Sequence, residues 1–177
     1  MIWAQNSVTF DFSNSSQEVQ NTIEKDGITL KFSDLLGKPI TPTFITFKNN
    51  DFIKLNFDRL LTVESKDCLI TSVVFVISDV NRLLKLYNKE KDQLSCSKIR
   101  VGRNEFYKQP WNEETEKVAF TPSASRAAYI KSIVVTFNKD VSLAVSSAER
   151  ATLYYSDRSF IIPEGVVART YKIEGNV

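Results

Sequence analysis

Histidine is absent from this 177-residue chain. Its absence removes Ser-His-Asp and Cys-His catalysis, imidazole acid/base chemistry near neutral pH and every histidine-containing metal site. Cysteine is scarce. Cys68 and Cys96 cannot hold a zinc ion by themselves, so they are either small buried apolar residues or the two ends of one disulfide. In an oxidising compartment such a bridge would contribute roughly 3–4 kcal/mol through loop closure. Long apolar runs are missing too: none approaches the roughly 18–20 residues that span a bilayer, the expectation for a soluble chain with no transmembrane segment. Neither sign of charge forms a block. With 23 Lys and Arg against 21 Asp and Glu the net charge is +2, and this pattern points to neither nucleic acid nor an anionic membrane surface. No cofactor is implied.

What is present is short, alternating and β-rich. Val8-Thr9-Phe10-Asp11-Phe12 and Ile28-Thr29-Leu30-Lys31-Phe32 each place apolar residues on one face of a half-buried strand, the second after an Asp26-Gly27 turn. Phe44–Phe47 and Phe52–Phe57 flank Lys48-Asn49-Asn50-Asp51 as a hairpin, and Leu60–Glu64 adds a further strand. Two echoing stretches, Ile70–Ser78 and Ile130–Asn138, are rich in β-branched and aromatic residues and lack Gly and Pro. The first is apolar on both alternating faces, as a strand covered on two sides would be. Between them, Leu94–Val101, Glu105–Tyr107 and Lys117–Thr121 read as short strands.

One interruption is expected. After a capping Asp79, the spacing of Val80, Leu83, Leu84 and Tyr87 is helical and points to one short helix near 80–91; the competing reading is a strand over Leu83–Tyr87. Beyond residue 140, Val141–Val145, Ala151–Tyr155, Phe160–Pro163 and Val166–Ile173 read as strands of a separate unit too small to bury its own core. The expectation is therefore an all-β chain: a two-sheet antiparallel β-sandwich of jelly-roll topology over 1–140 and a β-rich extension over 141–177.

The segments Val8–Phe12, Gly27–Phe32, Ile70–Phe75, Trp111, Val118–Thr121 and Ile130–Val135 together resemble a jelly-roll domain of secreted and lipid-anchored surface proteins of gut anaerobic bacteria. The tail Ala151–Asp157 and Phe160–Val166 resembles a second recurrent module of the same proteins, and departs from it by ending at Val177. The resemblance implies export to the cell surface or periplasm, a fold similar to galactose-binding-like and carbohydrate-binding modules and attachment to a larger multidomain protein; it brings no catalytic residues. Met1-Ile2-Trp3-Ala4-Gln5 is compatible with the stub of a cleaved signal peptide and equally with an ordinary start.

A sugar site on a sandwich needs an aromatic face and planar amide, carboxylate or guanidinium groups. One segment holds both: Tyr107 and Trp111 near Pro110, with Arg103, Asn104, Gln109 and Asn112 around them. The plainer alternative is that Trp111 and Phe106 are core or loop-covering aromatics and Tyr87 packs a helix on a sheet. Glu113-Glu114-Thr115-Glu116 reads as a solvated acidic turn before it reads as a calcium site, and nothing places two carboxylates across a cleft for glycoside hydrolysis. The expected function is a non-enzymatic surface module that binds a glycan, the alternative being an adhesive module that contacts host or cell-surface protein.

Overall fold

The computed structural model describes residues 4–13, 20–47, 49–89, 93–123, 125–139, 151–155 and 158–162. In chain order the strands are β1 (Ala4–Asp11), β2 (Thr22–Lys25), β3 (Ile28–Asp34), β4 (Thr43–Phe47), β5 (Asn50–Leu55), β6 (Arg59–Ser65) and β7 (Cys68–Ile77). They continue as β8 (Leu84–Leu86), β9 (Ser97–Val101), β10 (Asn104–Trp111), β11 (Lys117–Pro122) and β12 (Ala128–Lys139), with β13 (Ala151–Tyr155) and β14 (Arg158–Ile162) last. The chain divides into two compact units, Gln5–Lys139 and a second made of Met1–Ala4 with Asp140–Val177. Within 140–177 the described residues form one antiparallel hairpin, β13 with β14. The strands expected over Val141–Val145 and Val166–Ile173 lie outside the described residues.

The larger unit is a two-sheet sandwich. One sheet runs β4-β5-β12-β7-β10-β9 with β1 also paired to β12; the other runs β2-β3-β6-β11-β8. The order β5-β12-β7-β10 in the first sheet and β6-β11-β8 in the second nests β5 with β12, β6 with β11 and β7 with β10, as in a jelly roll. Turn chemistry sets the register: between Lys25 and Ile28 the two-residue loop Asp26-Gly27 has both φ angles positive, 53° and 81°, the geometry that matches strand twist in a tight hairpin.

The two echoing stretches are the middle strands of the larger sheet and pair with each other antiparallel along most of their length. Their buried residues share one spacing: Ile70, Val73, Phe75, Ile77 and Ile130, Ile133, Val135, Phe137. Alternation alone gives steps of two. The single step of three in each marks a bulge, with Thr71 the extra residue between Ile70 and Ser72, and Lys131 the extra residue between Ile130 and Ser132. Val74 and Val76, on the outer face of β7, are half-buried, so the strand is not covered equally on both sides.

The inner faces meet in one core. Phe75 of one sheet meets Phe120 of the other edge to face at 4.7 Å, and Phe120 also takes the edge of Trp111 at 6.0 Å. Full burial of each such ring contributes roughly 1.5–3 kcal/mol.

The helix expected near 80–91 is not formed. Only Val80–Arg82 makes a 3-10 turn, capped by the Asp79 side chain, which accepts from the Asn81 N–H at 2.9 Å. Leu83 is then extended (φ −63°, ψ 151°) and Leu84–Leu86 is strand β8. Without β8, β11 would present an open edge beside the buried Phe120; pairing through Phe120 with Leu86 and Pro122 with Leu84 closes it and buries both leucines. Tertiary pairing outweighs helical spacing here.

Cys68 and Cys96 are unbridged. Ser97 is level with Lys108, and Lys108 with Val76, whereas Cys68 starts β7, eight residues before Val76. At about 3.3 Å per residue that is roughly 25 Å along the sheet, far beyond the approximately 7 Å limit between bridged Cα atoms.

Candidate functional site

β10 runs unbroken from Asn104 to Trp111, so its side chains alternate between faces. Trp111 belongs to the inter-sheet core and Tyr107 packs against it, which turns Phe106 to the outer face. On that face Phe106 meets Phe52 at 6.3 Å, Phe52 meets Tyr129 at 6.4 Å, and Tyr129 meets Phe47 at 6.1 Å. Two cations hold this aromatic layer: the Arg82 guanidinium lies 3.8 Å above the Tyr129 ring, and Lys131 Nζ lies 4.7 Å above Phe106. The bulge at Lys131 brings that ammonium within 3.1 Å of Asn50 Oδ1, so the irregularity in β12 contributes directly to the site.

Above the layer opens a cavity of about 470 Å³, lined from three parts of the chain. The β4–β5 hairpin supplies Phe47, Asn50 and Phe52. The end of β7 supplies Ser78 and Asp79. The β9–β10 hairpin, turned at Gly102 (φ 62°), supplies Arg103 through Tyr107. Phe52 and Phe106 are almost wholly buried and form the floor, whereas Phe47, 40% exposed, offers ring surface to solvent.

The polar groups are of several kinds. Asp79 Oδ1 is committed to the Asn81 N–H, while Oδ2 has Arg82 Nε at 4.0 Å, too long for a hydrogen bond. Ser78 Oγ is buried with no hydrogen-bond partner among the described residues. Among the described residues, Arg103 and Asn104 have no side-chain partner and are exposed. Glu105 accepts from Lys98 Nζ at 2.8 Å and Arg100 Nη2 at 3.3 Å. The hydrogen bond from Lys98 is the largest influence holding its carboxyl below the usual glutamate range.

Three of the residues expected from sequence therefore come together: Arg103, Asn104 and Tyr107 all line the cavity. Trp111 does not join them. It is 5% exposed and sits between the sheets. Asn112 follows the end of β10, is exposed and lies outside the cavity lining. Gln109, grouped with them in the sequence, is fully buried. Pro110 does not turn the chain, because β9 pairs only as far as Lys108 and beyond it β10 has a free edge on that side, where proline is tolerated.

Phe47, Asn50, Phe52, Ser78 and Asp79 are lining residues that sequence reasoning missed. They are distant in sequence, and the nested pairing of β5, β12, β7 and β10 gathers them. Among the described residues no group of three or more His, Cys, Asp or Glu side chains gathers as metal ligands, and no helix is long and apolar enough to cross a membrane. No family model and no curated protein matches the chain.

Proposed function

We propose that this chain is a non-catalytic, exported cell-surface module that binds carbohydrate in the cavity between Phe47, Asp79 and Asn104. The observation that supports this reading is one cavity combining an exposed aromatic ring with hydroxyl, amide, carboxylate and guanidinium groups. A sugar offers an apolar C–H face and an edge of hydroxyls that both donate and accept. Phe47 suits the face; Ser78, Asp79, Arg103 and Asn104 suit the edge. Arg103 and Asn104 can meet a ligand without first breaking an internal bond, which lowers the cost of binding. The volume falls within the approximately 300–1,000 Å³ of small-ligand sites.

The resemblance to jelly-roll domains of bacterial surface proteins favours the same ligand class and location, by analogy of fold. A binding role is favoured over hydrolysis by Glu105: a general acid needs a raised pKa, and Lys98 and Arg100 shift this carboxyl the other way.

A broad glycan array followed by calorimetry on each hit tests the proposal. A saccharide ligand is expected, with affinity falling about tenfold, or ~1.4 kcal/mol, in Phe47→Ala and in Asn104→Ala. An array without binders, or affinity unchanged in the double variant, would overturn it.

A further inference from the structure

We propose a second site, an anionic phospholipid docking surface at the end of the sandwich where the β3–β4 loop and the β5–β6 turn meet. It shares no lining residue with the cavity above and does not rest on the carbohydrate reading.

The loop after β3 holds its shape through Asp34. The N–H groups of Leu36 and Lys38 both donate to Asp34 Oδ1, at 2.9 and 2.8 Å. The Gly37 N–H donates to the Asp34 carbonyl at 3.1 Å, and the Asp34 N–H to the Lys38 carbonyl at 2.9 Å. What this locked loop displays is apolar: Leu36 is 94% exposed and Leu35 45%. Since Asp34 is paired with Arg59, the β5–β6 turn lies alongside, and its Phe57 is 56% exposed. Three large apolar side chains thus project from two adjacent loops. A tight turn needs only small polar residues, so leucine at the tip of a fixed loop indicates an apolar environment outside the chain.

Local charge identifies that environment, although the even balance of charge along the whole chain gives no sign of it. Beside the prongs lies a cleft of about 570 Å³ lined by Leu35, Phe57, Lys85, Tyr87, Thr121 and Ser123, among others. Among the described residues, Lys85 and Lys38 have no acidic partner. Of the two carboxylates in these loops, Asp58 has Arg59 at 3.6 Å, and Asp34 keeps its charge while accepting from the loop amides, so the two lysines outnumber the one carboxylate that has no cation beside it among the described residues. Tyr87 and Thr121 spend their hydroxyls on the Leu35 and Phe57 carbonyls, at 3.4 and 3.5 Å, which ties the two loops to the cleft and leaves the Lys85 ammonium and the Ser123 hydroxyl as its donors. Such donors set behind apolar prongs match the order of a lipid surface, with phosphates outermost and hydrocarbon beneath. Leu36 and Phe57 would enter the interfacial layer while Lys85 meets a headgroup phosphate in the cleft.

The test is co-sedimentation of the full chain with vesicles of phosphatidylcholine alone and of a two-to-one mixture of phosphatidylcholine and phosphatidylserine. Binding to the mixed vesicles only is expected, weakening as salt rises, and falling about tenfold in Leu36→Asp and in Lys85→Glu. Leu36 is so exposed that its replacement leaves thermal unfolding unchanged, which separates lost docking from lost folding. No pelleting with mixed vesicles at low salt overturns the proposal, as does pelleting undiminished in a Leu36→Asp, Phe57→Asp double variant. Self-association abolished by Leu36→Asp, without vesicle binding, also overturns it by assigning the surface to a second copy.

Discussion

The side-chain amide of Gln109 and the backbone of Leu84 are joined across the sandwich by two hydrogen bonds: the Leu84 N–H donates to Oε1 at 2.8 Å, and Nε2 donates to the Leu84 carbonyl at 3.2 Å. Nε2 also reaches the Leu94 carbonyl at 3.4 Å. Gln109 and Leu84 are fully buried, so bulk water does not reach these backbone groups. Gln109→Leu leaves them unpaired and is expected to destabilise the fold by about 2–4 kcal/mol. Urea unfolding measures this, and a change under about 0.5 kcal/mol would show that water replaces the amide.

Trp111 is a core residue whose indole Nε1 is buried without a partner among the described residues. Trp111→Ala is expected to destabilise the fold by about 3–5 kcal/mol. Trp111→Phe keeps much of the packing and removes the unmet donor, so a loss below about 1.5 kcal/mol is expected. Denaturant titrations of the two variants check the order. Saccharide affinity should be unchanged in Trp111→Phe, unlike Phe47→Ala.

The thiols should behave as two free and unequal groups. Cys96 is exposed, although partial desolvation raises its pKa, whereas Cys68 Sγ lies 2.6 Å from Ser65 Oγ and is half-buried. A thiol-specific chromophoric reagent, used without reductant, is expected to label Cys96 first in the folded chain and both cysteines after unfolding. Labelling of neither would mean a bridge and a rearranged sheet.

Glu105 gives the expected pH dependence. Its folded pKa is depressed, chiefly by the Lys98 hydrogen bond. The ion pair is therefore fully present above the ordinary glutamate range and is lost as pH falls through the lowered folded value. Carboxyl-carbon NMR should find its midpoint below that of an unpaired glutamate, moving upward in Lys98→Ala. A midpoint unmoved by that substitution would sink the assignment.

Much of the sandwich was legible because its strands bury one face: Ile28, Leu30 and Phe32, or Val118 and Phe120, alternate as half-buried strands must. Leu83–Leu86 was ambiguous because a run this short satisfies both periods, and the need to cover β11 decides it. Arg103, Asn104 and Tyr107 were found since they cluster in sequence. Trp111 was misplaced because Pro110 reads as a turn until β9 is known to stop short. Phe47 and Asp79 carry no local mark of their role, which arises only when three distant segments meet.

The central pairing of β7 with β12 bears on how this chain folds. Phe75 and Ile133 are opposite each other at the centre of the larger sheet, yet roughly 60 residues separate them, so the pairing that completes the core closes a long loop and forms slowly. On the ribosome β7 emerges well before its central neighbour exists. Until Lys139 clears the exit tunnel, the edges of β5 and β7 that β12 will occupy stay open to other chains. Folding yield should accordingly respond more to changes in β12 than to equal changes in β2, at the rim of the smaller sheet.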